Sequence, residues 1–414
     1  MMQAVDRFVD ASRYPSLQAA VDAVPEFGTL VVPPGDWKCG AARLKSSMTL
    51  RLEPGCRLIA PDMLAEYVPT PFKGREAALN CCFLGLFGVH DVTIEGAGEL
   101  ICQGHRFWTD YDGAPNTTER DPRTGFHRNR QTYLPLPHRP VPVQLLEARD
   151  VTIRGITIRD SASYTVWAVG CERLRLDRLR LDNIRRGPNT DGLDIDCCRD
   201  VWITDCLLEC GDDCIALKSD IALLGRDQAC ERIHISGNTL CTQCCGIRIG
   251  YEGDGAIRDV VMDNTVIHHS NIGIDMLSLI PAGYRAGIRH GAKIENIVIR
   301  GVVMRDVRQA IKLWSNVEEP EKRGEYSGYI RNVLLADMTI DAVDASFIGG
   351  IAVSRVHLSH IEMDVRRFPE AYKGAVPVAI TDVWGYGYLP EPLTIYQAPD
   401  TVLEHVVVRS RTGK

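Results

Sequence analysis

One short phrase recurs along the chain and limits what it can fold into. It appears as HDVTIEG (90–96), RDVTIRG (149–155), ERLRLDR (172–178), RDVWITD (199–205), ERIHISG (231–237), RDVVMDN (258–264), ENIVIRG (295–301), RNVLLAD (331–337) and SRVHLSH (354–360). Each copy is a polar pair, an alternating apolar run and a turn residue. Alternation with period two is the mark of a half-buried strand. A second strand usually follows, as in GITIRDSASYTVWAVG, and no helical pattern intervenes. Strand units repeating at such spacing predict an all-β chain wound as a right-handed parallel β-helix, each coil burying its apolar face on the next. An antiparallel sandwich or a propeller is the blander alternative.

Variable steps between copies then become loops at coil corners. The longest, residues 103–140, is rich in Pro, Arg, His and aromatic residues and is placed to wall a cleft. The start, PSLQAAVDAVPEFGTLVVPPGDW (15–37), reads as a helix with Gln18, Ala19, Val21 and Val24 on one stripe, followed by a strand. Such a helix would cap the open end of the solenoid. The expected layout is one domain over 1–414: a cap to about 40, coils from about 41 to 365, and C-terminal strands and tail from about 366.

A formal net charge of -7 argues against a nucleic-acid backbone or an anionic membrane as partner, and no 18-residue apolar run predicts a membrane span. The opening MMQAVDRFVDASRYPSL has no secretory apolar core, so a cytoplasmic location is expected. Fifteen cysteines in a long chain read as reduced, buried thiols rather than a disulfide scaffold, and the sequon at Asn116 carries no meaning in that compartment. Clustered Cys197, Cys198, Cys206, Cys210, Cys214, Cys241, Cys244 and Cys245, with Asn183, Asn238 and Asn264, are expected to stack from coil to coil. The metal-site rival, CTQCC (241–245), lacks a second CxxC at finger spacing, and no cofactor or metal is expected.

PNTDGLDIDCCRDVWITDCLLECGDDCIALKS (188–219) sets four carboxylates among residues made for burial. Asp191 precedes Gly192, and Asp212 and Asp213 follow Gly211. The 21 residues from Asp191 to Asp212 make one short coil, so the two sites should stack about 4.8 Å apart on one face. Singly, an Asp at a turn is ordinary Asx chemistry, and Asp160 and Asp200 read that way. Three carboxylates at one spot raise at least one pKa. An acid beside a base is what glycosidic cleavage needs; a calcium site is the alternative use of hard oxygens.

NTDGLD and GDDCIALKS resemble the signature of glycoside hydrolase family 28, the polygalacturonases and their relatives. The similarity runs from GTLVVPPGDW to about residue 360 and includes GITIRDSASYTVWAVGC. What the resemblance implies is hydrolysis with inversion. Asp212 would protonate the leaving oxygen, and Asp191 and Asp213 would hold and deprotonate water. Asp194 would line the cleft, and Asn189 would shape the turn presenting Asp191.

Two family motifs are altered. Where relatives have Gly-His-Gly followed by Ser-Ile-Gly, this chain reads CCGIRIG (244–250), with Cys245 in place of His. Where they have Arg-Ile-Lys, the counterpart is GIDML (273–277), with Asp275 and Leu277. The lost Arg–Lys pair is the kind that grips a uronate carboxylate. Arg248 either compensates by binding an acidic sugar or pairs with Asp275. Lys312 and Trp314, in AIKLWSN one coil further along, offer either a sugar platform or a solvated strand edge. The expected partner is an oligosaccharide derived from pectin (of galacturonate or rhamnogalacturonan type), cleaved from a chain end, with the 103–140 and 281–293 loops closing the cleft. A β-eliminating lyase or epimerase, and a non-catalytic carbohydrate-binding solenoid, are the competing readings.

Overall fold

The computed structural model describes residues 7–71, 79–110, 133–283, 288–366 and 391–410. Its strands stack in parallel register along three files. One file runs through Gly28–Val32, Met48–Leu52, His90–Gly96, Arg149–Arg154, Glu172–Asp177, Arg199–Thr204 and Cys230–Ser236. A second runs through Thr157–Arg159, Arg180–Asp182, Leu207–Cys210 and Thr239–Thr242. The third, which carries the site, runs through Val141–Leu146, Val166–Val169, Leu193–Asp196, Ile215–Ser219, Cys245–Gly253 and Ile272–Ile280, and then into Lys293–Val317. This is the expected β-helix. Its core is the inward half of each alternation: Val151, Ile153, Leu174, Leu176, Val201 and Ile203 are buried while their neighbours face out.

The polar pair of each repeat has a backbone reason. Its second residue is left-handed in copy after copy: Asp91, Asp150, Arg173, Asp200, Arg232, Asp259, Asn296, Asn332 and Arg355 all have φ between 51 and 57°. One such residue turns the chain from one file to the next. Asp and Asn tolerate that conformation best, and a buried apolar residue would strain there. The closing turn residue does the same at the next corner, by Gly155, Gly237 or Gly301, or by Asp205 and Asn264. Outside the corners, alternating charges stack in register, as where Glu231 meets Arg258 at 2.6 Å and Glu295 meets Arg331 at 2.6 Å. These pairs favour one register over its neighbours.

The N-terminal helix is Leu17–Ala23, capped by Ser16, whose hydroxyl accepts from the Ala19 amide. Its buried stripe is Leu17, Ala20 and Val21, continued by Val24, shifted from the expected Gln18 and Ala19. Gln18 instead bonds the Arg43 backbone at the rim. Asparagines do not stack as expected. Asn183 and Asn238 are buried at different corners and satisfy the amides of Ser161 and Cys206, and Asn264 is exposed. Cysteines do stack: the Cys171 amide meets Cys198 Sγ at 3.3 Å, with Cys230 on the next coil. All fifteen cysteines are free thiols.

Only parts of three expected features fall among the described residues. In the long loop, Trp108–Asp110 pairs antiparallel with Tyr133–Pro135. In the 281–293 loop, Asp254 accepts the amides of Arg289, His290 and Gly291. Of the C-terminal segment, Leu393–Tyr396 and Val402–Ser410 extend the stacked files. Residues 111–132, 284–287 and 367–390 lie outside the description.

Candidate active site

The turn before Leu193–Asp196 is built to present Asp191. Asn189 sits at φ 49°, and the Arg139 guanidinium bonds the Pro188 carbonyl at 2.7 Å and Asn189 Oδ1 at 3.2 Å. Thr190 ties this turn to the next coil, since its carbonyl and hydroxyl accept the Gly211 amide. Gly192 donates to the Asp213 carbonyl at 2.8 Å, fixing one coil directly over the other. A Cβ at Gly192 would lie 2.4 Å from the Cys214 carbonyl oxygen, so only glycine allows that approach. Asp191, Asp212 and Asp213 thereby bring one carboxylate oxygen each within 4.8 Å of the others, at 3, 4 and 5% exposure.

Three anions so close and so dry cannot all be ionised. Burial, with Asp194 and then Asp212 beside it, pushes the Asp191 carboxyl well above the usual range. Its Oδ1 is buried with no hydrogen-bond partner among the described residues. Crowding and burial therefore favour the protonated form within the cluster.

In the site-bearing file, Asp194, Ala216, Arg248, Asp275 and Lys312 occupy one register line on successive coils. Arg248 does pair with Asp275, at 3.1 Å, and it pairs more closely with Asp213, at 2.6 Å. Cys245 donates its amide to Asp213 Oδ1 at 3.2 Å, and its sulfur lies 3.0 Å from the Arg248 guanidinium. Asp213, Cys244 and Cys245 also bring donor atoms within 4.8 Å. There the guanidinium already supplies the positive charge a cation would bring.

Lys312 lies two coils beyond Arg248, with its ammonium 5.3 Å from the Trp314 ring. Both side chains are buried, at 0 and 3% exposure, so an open sugar platform is not what this part of the wall presents. Trp314 packs with the main core, next in register to Leu277 and Gly349. Leu277 itself is core.

Two polar groups were missed by the sequence reading. Arg139, at the end of the long loop, buttresses the Asn189 turn. Lys218, inside GDDCIALKS, reaches Asp194 at 2.7 Å and Glu252 at 3.6 Å and stands 4.1 Å from the Tyr164 ring. Burial alone would discharge Lys218, but Asp194 and then Glu252 overcome that and raise it well above its ordinary value. Asp194 is pushed up to about 7 by burial, against the pull of Lys218. The signal for Lys218 was its place two residues after Ala216, on the outward face.

Asp196, in register with Lys218, is held at about 7, chiefly by burial and then by Asp220, while its Oδ1 accepts the Asp220 amide at 2.8 Å. The folded value lies above the unfolded one. Folding is therefore penalised increasingly as pH climbs from about 4 through 7, and not at all below that window. Asp196→Asn keeps the acceptor and removes the charge. We expect it to gain stability at pH 8, on the order of a few kcal/mol at most, and nothing near pH 4. Urea unfolding at the two pH values checks this; an equal shift at both would refute it.

A β-helix whose wall gathers three carboxylates on adjacent coils is the frame of a carbohydrate-acting solenoid. Residues 68–346 match glycosyl hydrolases family 28. The chain belongs to that family, and so to the glycoside hydrolases. A probable polygalacturonase of Vitis vinifera is 27% identical over 317 residues, covering 73% of this chain and 59% of the relative. The chain spans about half the length of the curated relatives it matches. Among solved structures, an exopolygalacturonase from Thermotoga maritima superposes with TM-score 0.69 at 21% identity, over 88% of each chain. A family 28 exopolygalacturonase from Yersinia enterocolitica also gives 0.69, at 16% identity, over 99% of this chain and 78% of that one. The fold is thus the right-handed parallel β-helix.

Proposed function

We propose that the protein hydrolyses pectin-derived oligosaccharides, of galacturonate or rhamnogalacturonan type, with inversion and from a chain end. The observation that carries this reading is the convergence of Asp191, Asp212 and Asp213, whose carboxylate oxygens lie within 4.8 Å of one another and are nearly fully buried. Asp212 gives its proton to the leaving oxygen as the glycosidic bond breaks. Water held between Asp191 and Asp213 attacks the anomeric carbon from the opposite face and loses its proton to Asp213, the member paired with Arg248. Family membership and the polygalacturonase relatives support pectin as the source. The exopolygalacturonase likenesses support action at a chain end. Fifteen cysteines outside any disulfide suit a cytoplasmic setting, where short imported oligomers are the available substrate.

Incubation with oligogalacturonides, rhamnogalacturonan fragments and neutral α-linked oligomers tests the reading. The expected result is reducing-sugar release from one acidic class, a single small product from the earliest times, and an inverted anomer by NMR. A ladder of intermediate oligomers would remove the exo assignment. Ultraviolet absorbance of an unsaturated uronate end would replace hydrolysis with β-elimination. Binding without any cleavage would leave a carbohydrate-binding solenoid.

A further inference from the structure

Arg248 stands where the family phrase has its serine, three residues after Cys245, which stands where it has histidine. The guanidinium is 2% exposed and is held at three sides. Its Nε donates to Asp213 Oδ2 at 2.6 Å, and its Nη1 lies 3.1 Å from Asp275 Oδ2. Its Nη2 lies 3.0 Å from Cys245 Sγ and 3.4 Å from Cys244 Sγ. Asp213 is thus fixed through both oxygens, Oδ2 by Arg248 and Oδ1 by the Cys245 amide. We propose that Arg248, clamped between Asp213 and Asp275, is a positioning residue that keeps Asp213 ionised and aimed at the attacking water, in place of the missing histidine.

The inference rests on the reading of Asp213 as a base, and it deepens that reading. Histidine is charged only part of the time near neutral pH, whereas arginine always is. A permanent cation on Asp213 alone directs the cluster's proton to its other members. Asp212 and Asp191 face Asp213 within 4.8 Å, and both oppose its ionisation. Asp194, which carries its own counter-ion in Lys218, adds a further anion. The Cys245 thiol is driven well up by burial, and Cys244 Sγ lies 3.5 Å from its sulfur. On the far side, Asp275 is fully buried and the Tyr251 ring is 5.7 Å from the guanidinium. Arg248 is the cation that the structure pairs with Asp213. Its second anchor, Asp275, sits where relatives place a substrate-gripping arginine. The same substitution that removes a uronate contact therefore holds the base-orienting cation.

The pH profile of Arg248→Met, Arg248→Lys and Asp275→Asn tests the assignment. In Arg248→Met the acid limb of kcat/KM should move up by about one to two pH units. Its plateau kcat should fall while KM stays within about twofold. Arg248→Lys should return the limb close to its native position. Asp275→Asn, which frees the guanidinium for Asp213, should leave the limb unmoved or shift it to lower pH. A limb unmoved in Arg248→Met, or an effect confined to KM, would overturn the proposal; the latter would make Arg248 a substrate contact. Should Arg248→Met fail to fold, Arg248→Gln, which keeps hydrogen-bond donors and removes the charge, carries the same test. Should the native chain cleave nothing, the hydrolase reading falls by itself. Infrared titration of the carboxylate band lost in Asp213→Asn, with and without Arg248→Gln, then still reads whether Arg248 keeps Asp213 ionised.

Discussion

Asp212→Asn should abolish hydrolysis of the natural oligosaccharide, with kcat down by about 10²–10⁴-fold, the usual contribution of one acid–base group. The fold should survive it. Asp212 Oδ1 accepts the Asp213 amide at 3.1 Å, and an asparagine oxygen can do the same. The Asp212 carbonyl, bonded by the Thr242 hydroxyl, is unaffected. Replacing one of three crowded carboxyl groups by a neutral amide should leave stability equal or slightly higher. The diagnostic is the leaving group. An aryl glycoside of the same sugar departs without needing a proton, so Asp212→Asn should recover most of its rate on that substrate. Asp191→Asn and Asp213→Asn should not, because activation of water is needed for either leaving group. Equal losses on both substrates would remove the acid role from Asp212. An unimpaired variant would remove it from catalysis altogether.

The fold was legible because its corners are chemical. A left-handed residue recurs at the corners of each coil, and the sequence marks most of them with Asp, Asn, Gly or another polar residue beside an alternating run. The carboxylate trio was legible for a related reason: coil length sets register, and 21 residues from Asp191 to Asp212 close one coil. What sequence could not supply is contact across coils of unequal length. Arg248, Asp275 and Lys312 are 27 and 37 residues apart, and only the register line shows that Arg248 lies between two carboxylates rather than facing sugar. Arg139 reaches the Asn189 turn from a loop whose path no periodicity encodes. Lys218 reads as one more outward strand residue until Asp194 and Glu252 are seen to close around it. Trp314 looked like a platform because it follows Lys312 by two; packing against the main core covers its face.

Lys218→Met should be the most costly single change at this site. The ammonium is 5% exposed, and Asp194 is fully buried at 2.7 Å. Removing one partner of a desolvated pair leaves an uncompensated charge and costs about 3–5 kcal/mol. The sign with pH follows from the partner. Asp194, already raised to about 7 with Lys218 present, rises further without it. Near pH 5 it stays protonated in the folded state and the loss is smaller; at pH 8 the protein must either bury a bare carboxylate or hold a proton against the solution. The destabilisation measured by urea unfolding should therefore grow from pH 5 to pH 8. Adding Asp194→Asn should recover much of it, and the double-mutant cycle should show strong coupling, since the two groups share one desolvated contact. A cost below about 1 kcal/mol at pH 8, the value of a surface ion pair, would show that water reaches Lys218. Additive single effects would show that Glu252, at 3.6 Å, and not Asp194, is the partner that matters.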